Sequence, residues 1–147
     1  MRLLDVNVLV ALAWPNHIHH RRAHAWFRAI QRHGWATCPV TETGFVRVSS
    51  NPRAIPDART PSEAIALLRR MRALPGHVFW TDDVSPGTGD ATPFGRVVGY
   101  RQVTDAHLLA LAIRRQGRLA TFDRGVSELI PDGLEGTAEL IPQSTKE

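Results

Sequence analysis

The segment Leu3-Leu4-Asp5-Val6-Asn7-Val8-Leu9-Val10 constrains the fold more than any other part of the chain. Its apolar positions are too continuous for a strand with one wet face, so it reads as a buried strand running into a helix. A carboxylate inside such a run is costly to bury without a partner, and after Arg2 no cation lies nearby in sequence. Asp5 therefore reads either as a helix cap or buried ion pair, or as a ligand at the C-terminal end of the first strand. In open parallel α/β sheets, that edge is where sites gather.

The rest of the chain continues the alternation. Pro15-Asn16 breaks it, and His17 to His33 predicts a helix closed by Gly34. Trp35 to Val40 reads as a strand, with Thr41 as the N-cap of a helix that ends at Asn51-Pro52. Thr60-Pro61-Ser62-Glu63 opens another helix, stopped by Pro75-Gly76, and His77 to Trp80 is a strand. Residues 84–99, rich in Gly, Pro and Thr, read as mostly loop. Thr104 is the expected cap of the helix Asp105 to Gln116, Arg118 to Phe122 is a strand, and Glu139 to Ile141 is a last one. Strands alternating with helices predict an α/β fold with a parallel sheet covered on both faces.

A length of 147 residues suits a single domain spanning 1–147 and is long enough to bury a real core. The 43% hydrophobic and 22% charged fractions exclude wholesale disorder. One cysteine, Cys38, excludes an internal disulfide framework and a Cys-based zinc site, and reads as a buried small hydrophobe. The first apolar run is too short to span a bilayer and is interrupted by Asp5 and Asn7, so a cytoplasmic protein with no membrane partner is expected. The 18 Lys+Arg against 14 Asp+Glu give +4, and Lys146 is the only lysine. A surface of planar, bidentate arginines suits phosphate and makes a polyanionic partner plausible.

Three further acids occupy places comparable to that of Asp5: Glu42 after the second strand, Asp105 at the start of the helix Asp105 to Gln116, and Asp123 after the strand Arg118 to Phe122. Singly, each has an ordinary explanation, because acids suit first helical turns and Asp-Arg-Gly suits a turn. Together with Asp5 they would repel strongly unless a hard divalent cation sat among them. A phosphoacceptor receiver or aspartyl-phosphate hydrolase needs a lysine beside its acids, and Lys146 in a polar tail is poorly placed. A dinucleotide-binding fold fails because no Gly-x-Gly-x-x-Gly follows the first strand. Metal-assisted chemistry with no covalent intermediate remains.

Five short segments in order resemble the PIN-domain ribonucleases of the VapC toxin type: Leu3-Leu4-Asp5-Val6-Asn7-Val8-Leu9, Thr41-Glu42-Thr43-Gly44-Phe45-Val46-Arg47, Ser50-Asn51-Pro52, Val103-Thr104-Asp105-Ala106-His107-Leu108-Leu109-Ala110-Leu111-Ala112, and Thr121-Phe122-Asp123-Arg124-Gly125. Trp14-Pro15-Asn16-His17, followed by His20 and Ala23, resembles one branch of them. The resemblance implies a Rossmann-like sheet, an acid cluster holding Mg²⁺ or Mn²⁺, endonucleolytic RNA cleavage, a homodimer, and a VapB-type antitoxin that occludes the site. Carried over by position, the acids are Asp5, Glu42, Asp105 and Asp123. Asp5 and Asp105 are the principal metal ligands, with Glu42 and Asp123 completing the site directly or through water. Asn7, Thr104 and Thr121 are supporting polar groups. The expected chemistry is metal-assisted hydrolysis leaving a 5′-phosphate and a 3′-hydroxyl. A non-catalytic PIN-like binding module and a metal-dependent DNA nuclease are the alternatives.

Among the arginines, Arg47, Arg96, Arg101 and Arg124 are candidates for RNA phosphates. His20 and His24 have i, i+4 metal-ligand spacing, but Arg21 and Arg22 beside them favour a polar helix face, shared with His17, over a metal site. Trp14, Trp26, Trp35 and Trp80 read as core or dimer-interface residues, and Asp82-Asp83 as a cap or loop.

Overall fold

The computed structural model describes residues 1–88 and 92–142. Five strands, β1 (Arg2–Leu4), β2 (Trp35–Thr37), β3 (His77–Phe79), β4 (Arg118–Thr121) and β5 (Ala138–Leu140), form one sheet in the order β3-β2-β1-β4-β5. Every pairing is parallel. The chain builds outward from β1 through β2 to β3, then returns to the other side of β1 with β4. The order of the sheet therefore reverses at β1 and β4, where doubly wound folds carry their sites.

Side chains along the central strands alternate between two cores, as a period of two requires. Leu4, Trp35 and Ala120 face one core, which is closed by α1 (Val6–Ala13), α2 (His20–Ile30), α3 (Pro39–Ser49) and α4 (Pro61–Arg72). Leu3, Ala36 and Leu119 face the other, closed by α5 (Val103–Arg114) through Leu108, Leu109 and Leu111. Trp35 and Trp80 are buried in these cores, Cys38 is buried as expected, and Trp14 and Trp26 are half-buried against the first core. At Gly44, α1 and α3 come so close that a Cβ would stand 2.6 Å from the Val6 side chain. A larger residue at 44 would push α3, and Glu42 with it, away from α1.

Several boundaries differ from the sequence expectation. Strand β2 stops at Thr37, and α3 starts at Pro39 with Cys38 as its N-cap residue. Pro39 at the first helical position is the signal that places this start. Thr41 is not the cap: it lies in the first turn, and its hydroxyl reaches back to accept the Cys38 N–H at 3.0 Å. Thr104 is likewise inside α5, whose N-cap position is Gln102 at the end of a 3₁₀ turn, Tyr100–Gln102. His17 to His19 stand outside α2, in turns. His20 Nδ1 and His24 Nε2 instead each lie 2.8 Å from the Ala11 and Leu12 carbonyl oxygens, partnering the open last turn of α1. Thr60 caps α4 as the sequence predicts, with Glu63 closing the box. Residues 84–88 and 92–99 are mostly loop with a 3₁₀ turn at Phe94–Arg96, and 89–91 and Lys146 lie outside the described residues. No helix among the described residues is long and apolar enough to cross a membrane.

Candidate active site

Asp5 is the first residue after β1. One carboxylate oxygen accepts the Val6 N–H at 2.7 Å, capping α1, and the other accepts the Thr121 hydroxyl at 2.7 Å. The helix-cap reading of Asp5 is thus realised, with a hydroxyl rather than a cation as the second partner. Thr121, at the end of β4, is a junction: its oxygen also accepts from Asn7 Nδ2 at 3.2 Å and from the Asp123 N–H at 3.0 Å. Asn7 Oδ1 accepts the Phe122 N–H at 3.3 Å. Two adjacent strand ends are therefore bolted together by Asn7 and Thr121, both named from sequence as supporting groups.

Asp105 enters from the first turn of α5, and Asp123 from the turn after β4, where it also accepts the Gly125 N–H at 2.8 Å. The three acids act on one another. Burial first, then the charges of Asp5 and Asp123 and a hydrogen bond with Asp123, push the Asp105 carboxyl up to about 7. Asp5, only 6% exposed, is also raised, chiefly by burial, with Asp123 adding and the Thr121 and Val6 bonds opposing. A hollow of about 350 Å³ opens over these three carboxylates, and His17, Val48 and Ile55 complete its wall.

Glu42 does not join them. Its Oε2 accepts the Thr37 hydroxyl at 2.6 Å, and its Oε1 faces Arg72 Nη1 at 3.3 Å. Because the Thr37 hydroxyl is donated to Glu42, Thr37 accepts from His77 Nε2 at 2.7 Å, which places the His77 proton on that nitrogen. Burial and the Arg72 charge hold His77 below the usual imidazole value, against the opposing pull of Glu42. Thr104 is exposed on α5 and takes no part in the Asn7–Thr121 network. Of the candidate arginines, Arg47 and Arg124 are exposed, Arg101 lies 5.6 Å from the centre of the Tyr100 ring, and Arg96 pairs with Asp132 at 3.1 Å.

Sequence reasoning missed two features. His17 lines the acid hollow, its Nδ1 accepting the His19 N–H at 3.0 Å; only its residue type hinted at this. Asp82 is not merely a loop residue: nearly buried, it meets His107 Nε2 of α5 at 2.6 Å and ties the segment after β3 to that helix. The partner, 25 residues away, leaves no local signal.

The geometry meets its family here. The model of the PIN domain matches residues 2–129. The chain belongs to the PIN-domain family. Within it the chain is of the VapC type, as the ordered segments implied. It is 55% identical to "Ribonuclease VapC38" of Mycobacterium tuberculosis over 96% of its own length and 98% of that protein's. It is 51% identical to "Ribonuclease VapC39" over 90% of this chain and 95% of that one, and 44% identical to "Ribonuclease VapC44" over 85% and 87%, both from the same species.

The donors of this PIN domain suit a hard divalent cation. They are all carboxylate oxygens, the ligand type that Mg²⁺ and Mn²⁺ prefer. The raised Asp105 shows why a cation would be welcome, since three carboxylates lining one hollow are relieved by a proton or by a metal. Among the described residues, no three His, Cys, Asp or Glu side chains already stand at metal-ligand geometry. The only cysteine offers no competing nucleophile, because burial pushes the Cys38 thiol up.

Proposed function

We propose that this VapC-type PIN domain is an Mg²⁺- or Mn²⁺-dependent endoribonuclease and the toxin of a type II toxin–antitoxin pair. The observation that carries this reading is the triad Asp5, Asp105 and Asp123 on one hollow, where burial and then the charges of the other two push the Asp105 carboxyl up to about 7. Asp5 and Asp105 hold the cation with Asp123. Glu42, engaged by Thr37 and Arg72, contributes through water at one remove. Thr121 and Asn7 fix the Asp5 carboxylate and the backbone of Asp123, so that the donors do not have to reorganise when substrate arrives. Thr104, exposed on the first turn of α5 beside Asp105, is a supporting polar group. A cation bound there would supply charge neutralisation at the scissile phosphate and activation of the attacking water, with a 5′-phosphate and a 3′-hydroxyl as the expected products.

Arg47, Arg96, Arg101 and Arg124 take the flanking phosphates, which makes RNA affinity fall steeply with salt. A VapB-type antitoxin covers the site, two copies pair as a homodimer, and the protein works in the cytoplasm. The decisive experiment incubates the chain with RNA and with single-stranded DNA, with Mg²⁺, with Mn²⁺ and in EDTA, beside Asp5→Asn. The expected result is cleavage of RNA alone, lost in EDTA and in the variant while the circular dichroism is unchanged. Full activity of Asp5→Asn would overturn the reading, and cleavage of DNA alone would replace it with the DNA nuclease.

A further inference from the structure

The hollow over the triad does not end at His17. His17, Ala54 and Ile55 also line a second hollow of about 360 Å³, so the two adjoin along one trough. The second hollow differs in chemistry. Trp14, Pro15 and Pro56 join Ile55 in an apolar wall, and Asn16 and Asp57 stand exposed at its rim. Its parts are fixed in place. The Trp14 N–H donates to Ser49 Oγ at 3.1 Å, two prolines stiffen the opposing turns, and the backbone of Arg59 is tied to the Ser49 carbonyl at 3.0 Å. The size falls within the range of small-molecule sites, about 300–1,000 Å³, which pair an apolar wall with a few polar groups.

We propose that this second hollow holds one unpaired nucleobase of the RNA, next to the phosphate at the triad, and that it sets which bond is cut. The proposal rests on the ribonuclease reading and deepens it at one point, the base beside the cut bond. An apolar wall with an aromatic residue accepts the face of a base, and free amide and carboxylate groups at the rim can read its hydrogen-bonding edge. His17 marks the border. Its Nδ1 is taken by the main chain, so Nε2 is the nitrogen left to donate toward the joining phosphate or ribose. A base still inside a duplex cannot enter such a hollow, so continuous duplex RNA is a poor substrate.

The test uses the full chain and a labelled single-stranded RNA with a mapped cut. An abasic ribose is stepped through the positions flanking that cut, with wild type, Trp14→Ala and Asn16→Ala. The exposed Asn16 keeps the test alive if Trp14→Ala does not fold. The expected result is one flanking position at which the abasic RNA raises KM about tenfold for the wild type. At that position alone the variants add nothing further, although on intact RNA they raise KM themselves. An unchanged KM on intact RNA, as when the trough serves only a protein partner, overturns the subsite, and so do abasic and variant effects that multiply at every position. A wild type that cuts no RNA overturns the ribonuclease reading as well, which distinguishes the two failures.

Discussion

The same edge of one sheet treats its carboxylates in two opposite ways. At the ends of β1 and β4, Asp5, Asp105 and Asp123 face one another; Thr121 and backbone N–H groups donate to Asp5 and Asp123, while burial and its neighbours' charges push the Asp105 carboxyl up to about 7. At the ends of β2 and β3, Glu42 is satisfied by a hydroxyl and a guanidinium, at 2.6 and 3.3 Å. The first arrangement is costly until a cation arrives, whereas the second is complete as it stands. Structural carboxylates are surrounded by donors, and binding carboxylates are surrounded by each other. Each of the following experiments attacks one side of that contrast.

The largest effect is expected at the centre of the triad. Asp105→Asn removes a metal donor together with the carboxylate that burial and the charges of Asp5 and Asp123 disfavour. Cleavage should fall below detection, and Mg²⁺ should no longer raise the melting temperature. The metal-free variant should nevertheless melt higher than the metal-free wild type at pH 8, because one unfavourable charge has gone. A variant less stable than wild type at that pH would mean that the triad is already compensated and that the contrast with Glu42 is false.

Thr121→Val comes next. The hydroxyl supplies a hydrogen bond to Asp5 and an acceptor for Asn7 and the Asp123 N–H, in a buried position where lost partners cost about 1–3 kcal/mol. Metal affinity should drop by about 10- to 100-fold, the usual consequence of losing a group that orients a ligand. Titration of Mg²⁺ by calorimetry separates this loss from the stability loss read by urea unfolding.

The pH dependence is smaller, but its sign is diagnostic. Asp105 sits at about 7 in the folded chain against 3.8 for a free side chain. Between those values the folded state holds a proton that the unfolded state has released, so this group's contribution is present below about pH 4 and is lost as pH rises through 7. Without metal, the melting temperature should decline from pH 5 to pH 8, and the increment from added Mg²⁺ should be larger at pH 8, since the cation then replaces no proton. An increment independent of pH would remove proton–metal competition at the triad.

Much of this was legible in the chain itself, for reasons that differ by residue. Asp5 stood out because an acid inside an apolar strand-to-helix run demands a partner. Asn7 and Thr121 came only with the family resemblance, by their positions in its first and last segments. Thr60 and Glu63 carried a capping box within four residues, and the structure keeps it. What escaped was either side-chain direction or long range. A position in the first turn of a helix puts Glu42 at the sheet edge, but the direction of its carboxylate is decided by Arg72, thirty residues later, and by Thr37. The His20 and His24 spacing was visible, but the carbonyls of α1 that occupy both rings were not. Residue type alone points to Thr41 and Thr104 as caps, whereas Pro39 and the 3₁₀ turn at Tyr100–Gln102 set the real starts.

Glu42→Gln gives the smallest effect and the finest discrimination. The amide keeps the acceptor for Thr37 but loses the charge opposite Arg72, whose guanidinium is exposed enough to be solvated instead, so the stability cost should be about 1 kcal/mol or less. If Glu42 acts at one remove, cleavage falls but stays measurable, and Mg²⁺ affinity changes less than in Asp105→Asn. Arg72→Ala then serves as the counterpart. It frees the Glu42 carboxylate without deleting it, and activity should be kept or raised as that carboxylate becomes available to the triad. Equal losses in Glu42→Gln and Asp105→Asn, with a gain in Arg72→Ala, would place Glu42 directly on the metal and turn Arg72 into the group that holds it back.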